Sequence, residues 1–264
     1  MDRFDTRFGS PRAHFRLTDS TNARARELAV NGAPHGTVVT ATEQAAGRGR
    51  QGRTWTAPAG RALLCSIVIR EPPRLLPLAA GVAVADVVDA AVARKPAAGA
   101  EAQIKWPNDV LVDGRKVAGI LVEGRLQERW AVLGIGLNVA VGLEDFPPEL
   151  RDRAGTLGLE TSAIEPTLAA LLRRLEFWIG ADADAILDAV RARDAVLGRE
   201  VHWGGRVGIG AGIDGDGSLV VRTDDGELRL DAGEVHLGSL RAIADWGPAE
   251  DSADRDDASD DQAG

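Results

Sequence analysis

Runs of apolar residues separated by short polar turns divide the chain into two regions of different texture. Residues 62–70 are almost continuously apolar, which predicts a buried strand. Residues 75–94 are rich in alanine and valine and predict a long helix that is hydrophobic on most faces. Residues 166–179 and 183–197 repeat apolar positions at helical spacing and predict two amphipathic helices. After Gly198 short apolar stretches alternate with Gly- and Asp-rich turns, which predicts a small β-barrel of SH3-like size.

The first region also contains further strand signals and one helix start. Residues 37–42 predict a strand, and residues 103–112 predict a hairpin with residues 116–124 around an Asp-Gly turn. Small polar residues at 19–22 precede a run of good helix formers and predict an N-cap, although the same groups could face a ligand. The five predicted strands of the second region are residues 200–203, 207–213, 219–222, 227–230 and 234–237.

We therefore predict three parts. Residues 1–197 form an α/β domain, residues 198–243 form the small barrel, and residues 244–264 form a disordered acidic tail.

The most unusual stretch is residues 47–53, which hold three glycines and three arginines. Glycine allows close backbone approach to a ligand, and arginine offers a planar fork of donors for phosphate or carboxylate. The stretch also satisfies G-x-G-x-x-G, but residues 54–60 contain Pro and Gly and cannot open the helix that a dinucleotide fold requires. No Gly-Lys-Ser/Thr follows, which excludes a P-loop. The sequence thus predicts an anion-binding loop, with a flexible solvated basic loop as the alternative.

Composition narrows the class of protein. Net charge is −9, which argues against general nucleic-acid binding. No apolar run reaches the ~18 residues of a membrane span, and residues 1–5 lack a signal-peptide core. The single cysteine, Cys65, is expected to be a buried thiol, and with no disulfide framework the chain fits a reducing cytoplasm. Histidine and cysteine show no zinc-ligand spacing.

Lysine is rare in this chain. Of its 31 basic residues only Lys95, Lys105 and Lys116 are lysine, so a lysine inside a motif is a candidate for a task that arginine cannot perform.

Five blocks, in order, together resemble the motifs of biotin–protein ligases. They are residues 19–22 (Asp-Ser-Thr-Asn), 43–55 (Glu-Gln-Ala-Ala-Gly-Arg-Gly-Arg-Gln-Gly-Arg-Thr-Trp), 105–109 (Lys-Trp-Pro-Asn-Asp), 115–123 (Arg-Lys-Val-Ala-Gly-Ile-Leu-Val-Glu) and 134–138 (Gly-Ile-Gly-Leu-Asn). The resemblance covers roughly residues 15–140 and is specific because the order and spacing of all five blocks match. Gln51 departs from the pattern, since an arginine or histidine often stands there.

The resemblance implies a two-step, ATP-dependent ligase. Biotin and Mg-ATP would give biotinyl-5′-AMP and pyrophosphate, and a lysine of a biotin carboxyl carrier protein would then accept biotin and release AMP. The implied fold is a class II aminoacyl-tRNA-synthetase-like domain, with a mixed sheet flanked by helices, followed by the small barrel. Mg²⁺ is expected to be held mainly by the ATP phosphates. We expect no nucleic-acid partner and no membrane partner, and leave a homodimer open.

The family also implies roles for single residues. Lys105 would lie between carboxylate and phosphate, with Lys116 near the same groups; Ser20, Thr21 and Gln44 would bind the ureido ring. Arg48, Gly49 and Arg50 would hold the carboxylate and phosphate side, Arg53 the nucleotide phosphates, and Trp55 would pack on the intermediate. Asn108, Asp109 and Asn138 would serve the nucleotide side, with Asp109 orienting a metal-bound water or the incoming amine. Asn22, Gly47 and Gly119 complete the expected binding set.

Three other functions remain open from the sequence. A lipoate or octanoate ligase has related chemistry, although the Lys-Trp-Pro-Asn-Asp block favours biotin. The Arg-Gly loop could bind RNA, against which stand the net charge and the lack of interleaved aromatic residues. A catalytically dead binding module would not need to retain Lys105.

Overall fold

A seven-stranded mixed sheet is the centre of the protein, whose computed structural model describes residues 8–93, 101–125 and 128–240. The strands run in the order β1-β2-β3-β7-β6-β5-β4. β1 and β2 are parallel, and the other neighbours are antiparallel. Their bounds are β1 (Arg12–Thr18), β2 (Val38–Gln44), β3 (Ala62–Arg70), β4 (Gln103–Lys105), β5 (Asp109–Val112), β6 (Arg115–Arg125) and β7 (Trp130–Asn138).

Helices cover both faces of this sheet: α1 (Thr21–Val30), α2 (Leu76–Val92), α3 (Ile164–Ile179) and α4 (Ala183–Arg191). On one face, Ala25 and Ala29 of α1 pack with Val39, Val68 and Val132. On the other face, α2 is buried along most of its length and packs between the sheet and helices α3 and α4. This explains why its sequence is apolar on most faces, since only a surface helix needs a polar side. The predicted mixed α/β architecture is confirmed.

A second, smaller sheet follows in the chain. It contains β8 (Arg199–Trp203), β9 (Arg206–Ile213), β10 (Leu219–Thr223), β11 (Gly226–Leu230) and β12 (His236–Leu240). All neighbours are antiparallel in the order β11-β10-β9-β8-β12, so β11 and β12 are its two edges. The sheet is open, and the predicted closed SH3-like barrel is not confirmed. Buried residues of β8 and β10 join the same hydrophobic core as α2, so the predicted domain boundary at residue 197 stays a prediction.

Two segments differ from the sequence-based prediction. β1 was not predicted, because its charged and polar residues hide a strand that lies at the sheet edge with an exposed outer side. The predicted helix over residues 183–197 is wrong beyond Arg191. There the side chain of Asp194 accepts the backbone N–H of Val196 at 2.8 Å, which competes with helical bonding. The predicted acidic tail at residues 244–264 lies outside the described residues.

The segment after α4 instead extends the edge of the large sheet. The N–H of Ile104 in β4 donates to the carbonyl of Arg193 at 2.7 Å, and the N–H of Ala195 donates to the carbonyl of Ile104 at 3.0 Å. β4, a strand of three residues, is therefore bonded on both sides.

The predicted burial of Cys65 is confirmed. Cys65 is a residue of β3 and its side chain is fully buried. Burial in this apolar setting raises the pKa of its thiol to about 12. Of the helices described here, none is both long enough and apolar enough to cross a membrane.

Candidate functional site

One pocket collects most of the candidate residues from the sequence. It lies over the middle of β6 and β7, beneath the loop that joins β2 to β3. The predicted site residues that line it are Ser20, Thr21, Asn22, Gln44, Arg48, Gly49, Arg50, Arg53, Trp55, Lys105, Asn108, Asp109, Lys116 and Gly119. Together with Gly134, Ile135 and Gly136, which also line it, residues from all five sequence blocks thus meet here, although the blocks span more than a third of the chain.

One end of the pocket is a neutral hydrogen-bonding network at the start of α1. The backbone N–H and the hydroxyl of Thr21 donate to Gln44 Oε1 at 2.7 and 3.0 Å. Ser66 Oγ lies 2.8 Å from Thr21 Oγ1 and 2.6 Å from Asn22 Oδ1. Asn22 Nδ2 donates to Glu123 Oε2 at 2.8 Å. Buried amides and hydroxyls in this arrangement can recognise a neutral polar ring through both donors and acceptors.

Ser20 occupies the N-cap position of α1, but its side chain makes no capping hydrogen bond. Its backbone N–H instead donates to Asp19 Oδ1 at 2.9 Å. The capping interpretation of residues 19–22 is therefore wrong for the Ser20 hydroxyl, which lies buried at the pocket wall.

The floor of the pocket depends on glycines in β6 and β7. A Cβ added at Gly134 would stand 2.0 Å from Asn22 Oδ1, and one at Gly136 would stand 2.5 Å from Trp55 Cε2. A Cβ at Gly119 would stand 3.0 Å from Trp55 Cζ3. These positions are glycine because other side chains lie directly on the backbone, and not for a special φ angle.

Trp55 lies across this floor with its indole nitrogen buried. Within the described residues that nitrogen has no hydrogen-bond partner. Lys116 Nζ lies 5.7 Å from the centre of the ring. A buried donor without an acceptor is costly, so the ring position is suited to a ligand that supplies one.

Strand pairing brings three charged side chains together at the other end. Lys105 in β4 faces Asp109 in β5, and Asp109 faces Gly119 in β6. Lys116 Nζ lies 2.6 Å from Asp109 Oδ1, and Lys105 Nζ lies 3.9 Å from Asp109 Oδ2. The Lys105 side chain is only 15% exposed. Its pKa is lowered chiefly by burial; Asp109 opposes this shift and Lys116 adds to it.

The three loop arginines each contact a different partner. Arg48 Nη1 lies 3.7 Å from Glu123 Oε1, and Arg50 Nη1 donates to Asn108 Oδ1 at 3.3 Å. Arg53 forms an ion pair with Glu234, which precedes β12. The loop itself is a small hairpin: the N–H of Gly49 donates to the carbonyl of Arg53 at 2.7 Å. All three arginines therefore line the pocket already bound to protein groups that an anion could replace.

Two predicted site residues do not line the pocket. Asn138 is buried at the end of β7, and its Nδ2 donates to the carbonyl of Gly155 at 2.9 Å. Gly47 is buried beside Trp55: its carbonyl accepts the Trp55 N–H at 3.1 Å, and an added Cβ would stand 2.2 Å from the Trp55 carbonyl oxygen. Both hold neighbouring backbone in place.

Sequence reasoning missed Ser66, Glu123 and Glu234 as site residues. Ser66 is a lone hydroxyl within the apolar run of β3, which is a usable signal for a buried polar contact. Glu123 closed one of the five sequence blocks without being assigned a role. Glu234 has no signal, because its place beside Arg53 depends on how the small sheet lies against the large one.

The carboxylates of the pocket do not form a metal site by themselves. Asp109 is bound by two lysines and Glu234 by Arg53. Across residues 8–93, 101–125 and 128–240, no three His, Cys, Asp or Glu side chains group in a way that could hold a metal ion.

Comparison with known proteins gives a consistent family. The biotin/lipoate A/B protein ligase family matches residues 14–139. The biotin–[acetyl-CoA-carboxylase] ligase of Mycobacterium tuberculosis is 38% identical over 239 residues, covering 83% of this chain and 86% of that protein. The bifunctional ligase/repressor BirA of Bacillus spizizenii is 34% identical over 242 residues, covering 84% of this chain and 72% of the relative.

A solved structure agrees with these relatives. Biotin protein ligase from Aquifex aeolicus, in complex with biotin and ATP, superposes with a TM-score of 0.73 at 27% sequence identity. The match covers 87% of this chain and 99% of the Aquifex chain.

Gly134→Ala tests the glycine floor. The added methyl would force Asn22 away from Ser66 and Glu123, so we expect the free energy of unfolding in urea to fall by about 2 kcal/mol. The control is Gly180→Ala at the end of α3, where the nearest atom would be 3.5 Å away and the change should stay below about 0.5 kcal/mol. Equal effects of the two substitutions would contradict this description of the floor.

Proposed function

The chain belongs to the biotin/lipoate A/B protein ligase family and acts as a biotin–protein ligase, and we propose how its pocket divides the reaction. One observation carries the proposal: one pocket is lined both by an amide and hydroxyl network at the start of α1 and by five cations, of which Arg48 shares Glu123 with that network. The cations are Arg48, Arg50, Arg53, Lys105 and Lys116. Biotin has a neutral ureido ring at one end and a carboxylate at the other, and ATP brings further negative charge to the carboxylate.

In the first step, a carboxylate oxygen of biotin attacks the α-phosphorus of ATP. The bond from that phosphorus to the bridging oxygen breaks, pyrophosphate leaves with the electron pair, and biotinyl-5′-AMP remains. Two anions must meet in this step, so the cations reduce their repulsion and stabilise the charge that grows on the α-phosphate. We propose that Lys105 lies between carboxylate and phosphate, with Lys116 beside it.

In the second step, the amine of a carrier lysine attacks the acyl carbon of the mixed anhydride. The bond between that carbon and the phosphate oxygen breaks, AMP leaves, and the nitrogen loses a proton as the amide forms. We propose that Asp109 orients the incoming amine. Its contacts with Lys105 and Lys116 support this placement at the reaction centre.

The residues at the start of α1 and those of the loop and of β4 and β5 are assigned to different parts of the ligands. We assign the ureido ring to Ser20, Thr21, Asn22 and Gln44, because its N–H groups and carbonyl need acceptors and donors together. The dithiolane of lipoate has no such groups, so the network favours biotin over the lipoate alternative.

The nucleotide side is assigned to the loop and to the Lys-Trp-Pro-Asn-Asp block. Arg48, Gly49 and Arg50 hold the carboxylate and phosphate, Arg53 the outer phosphates, and Trp55 packs on the intermediate. Asn108 bonds to Arg50 and to the backbone of Ile120, and we propose that it helps to place the nucleotide. Gly119 leaves room for Trp55. Asn138 is given a supporting role through Gly155.

Mg²⁺ would enter with ATP and be held mainly by phosphate oxygens, since the pocket carboxylates are already paired with cations. When bound, it would neutralise phosphate charge. The carrier protein as acceptor follows from the activity. The absence of nucleic-acid binding, a homodimer, the cytoplasmic location, the SH3-like character of the small sheet and the class II aminoacyl-tRNA-synthetase-like class of the fold stay predictions.

Lys105→Ala is the direct test of the reaction centre. Loss of the buried cation should lower kcat for biotin-dependent ATP–pyrophosphate exchange by about 10²- to 10³-fold, as for other groups that stabilise developing charge. The control is Arg129→Ala, which removes an exposed cation paired with Glu71 and should leave exchange unchanged. Wild-type exchange in the Lys105→Ala enzyme would remove Lys105 from the mechanism.

The pH dependence follows from the burial of Lys105. Because burial lowers its pKa, the cationic form is complete at low pH and is lost as pH rises through a value below that of ordinary lysine. We therefore expect kcat/KM for exchange, which reports on the free enzyme, to fall on its alkaline side earlier than an ordinary lysine would allow. In Lys105→Arg the guanidinium stays charged, and the alkaline fall should move to higher pH. An identical alkaline fall in both enzymes would assign it to another group.

Ligand binding should protect the loop from trypsin. The side chains of Arg48 and Arg53 are 45% and 58% exposed, and Arg50 is partly exposed. We expect this Gly/Arg segment to become less accessible when anions replace its protein partners. We expect cleavage after these arginines to slow at least about fivefold with biotin and ATP, as followed by mass spectrometry. Cleavage after Arg206, the exposed first residue of β9, should not change and serves as an internal control. Equal cleavage of the loop with and without ligands would show that it does not close.

A further inference from the structure

The residues on both sides of Lys105 are held by the C-terminal part of the chain. Ile104, just before it, exchanges backbone hydrogen bonds with Arg193 and Ala195 at 2.7 and 3.0 Å. Trp106, just after it, is 3% exposed, and its indole N–H donates to the carbonyl of Gly217 at 3.0 Å. Ile104 and Trp106, the two neighbours of Lys105, are thus both hydrogen-bonded to residues that follow α4.

The carbonyl that accepts the Trp106 hydrogen bond belongs to a hydrogen-bonded turn, residues 214–218 between β9 and β10. Asp214 Oδ1 accepts the backbone N–H groups of Asp216 and Ser218 at 2.8 and 3.0 Å. The N–H of Asp214 donates to the carbonyl of Ser218 at 3.0 Å. These bonds fix the direction in which Gly217 presents its oxygen.

Two features of the structure require glycine at position 217. Its φ is +84°, in the left-handed region, and an added Cβ would stand 2.7 Å from Leu75 Cδ2. The 214–218 turn therefore packs tightly against the residues that begin α2, and it cannot shift without disturbing that contact.

We infer that Trp106 and the 214–218 turn are positioning elements for Lys105, set by the hydrogen bond between the indole nitrogen and the Gly217 carbonyl. The inference rests on the role proposed for Lys105. By this inference the small sheet has a task at the site, because its 214–218 turn fixes the backbone beside Lys105.

Backbone position matters here because little else holds Lys105. Its ammonium is 3.9 Å from Asp109, a longer contact than the 2.6 Å between Lys116 and the same carboxylate. The lysine stem is flexible, so its site of attachment decides where the charge can lie. Misplacement of a catalytic group by about 1 Å can cost about 100-fold in rate.

Trp106→Phe removes the N–H and keeps most of the apolar ring. Trp106 lines the pocket, but its side-chain hydrogen bond goes to Gly217 and not to the ureido network. We therefore expect kcat for biotin-dependent ATP–pyrophosphate exchange to fall about tenfold, with KM for biotin changed less than about twofold. The matched control is Trp130→Phe. Trp130 is also buried, and its indole N–H donates to Glu128 at 2.8 Å, away from the pocket. The kcat of Trp130→Phe should stay within about twofold of wild type. Its midpoint of thermal unfolding should fall by about as much as that of Trp106→Phe.

A second variant separates positioning from general loss of stability. Gly217→Ala should displace the carbonyl and lower kcat about as much as Trp106→Phe, since both remove one hydrogen bond. In the double variant the two reductions should not multiply, because the bond is already absent.

Three outcomes would overturn the inference: unchanged kcat in Trp106→Phe, equal losses of kcat in Trp106→Phe and Trp130→Phe, or multiplied losses in the double variant. Lys105→Ala, measured alongside, separates this failure from that of the proposed mechanism. If Lys105→Ala keeps wild-type exchange, the role of Lys105 falls and the inference with it. If Lys105→Ala loses exchange while Trp106→Phe keeps it, only the positioning by the 214–218 turn is wrong.

Discussion

The contact of Asp109 with two lysines is the interaction on which the site depends. The Lys105 side chain is 15% exposed and that of Lys116 is 36% exposed. Their ammonium groups repel each other and Lys105 loses hydration, and the single carboxylate between them offsets part of that cost. Three adjacent strands are needed to assemble it, since Lys105, Asp109 and Lys116 lie on β4, β5 and β6. The loop arginines line the same pocket, Arg50 beside Asn108 and Arg53 beside Glu234, whereas Arg48 lies beside Glu123 and so next to the amide and hydroxyl network. Each cation of this anion-binding site contacts a protein group, and these contacts reduce the repulsion between the cations.

Much of this arrangement could be predicted from the sequence, for physical reasons that are local. The continuous apolar run of β3 and the Asp-Gly turn between β5 and β6 have signals that depend on few residues, and both were placed correctly. The scarcity of lysine pointed to Lys105 and Lys116, and the pocket contains both. The other site residues were predicted because the motif blocks that contain them resemble those of biotin–protein ligases.

The features that could not be predicted are those that depend on distant parts of the chain. β1 is polar and lies at the sheet edge, so alternation does not reveal it. The end of α4 is decided by Asp194, whose side chain bonds to the next backbone N–H groups while the segment pairs with β4. Asn138 was expected at the nucleotide because of its motif, yet its amide is turned toward Gly155. Glu234 reaches Arg53 only through the packing of two sheets, which no pattern within either sheet records.

The bonding of β4 has a consequence for the order in which the protein is completed during synthesis. The strand emerges from the ribosome long before residues 193–195, which supply the partners on its outer side. Until then the backbone of Ile104 lacks that acceptor and that donor, and the indole of Trp106 lacks the carbonyl of Gly217. The segment that carries Lys105 thus lies in the first half of the chain, but its hydrogen bonds are completed only by residues of the second half. A nascent chain that has made every motif has still not bonded the strand from which its reacting cation projects.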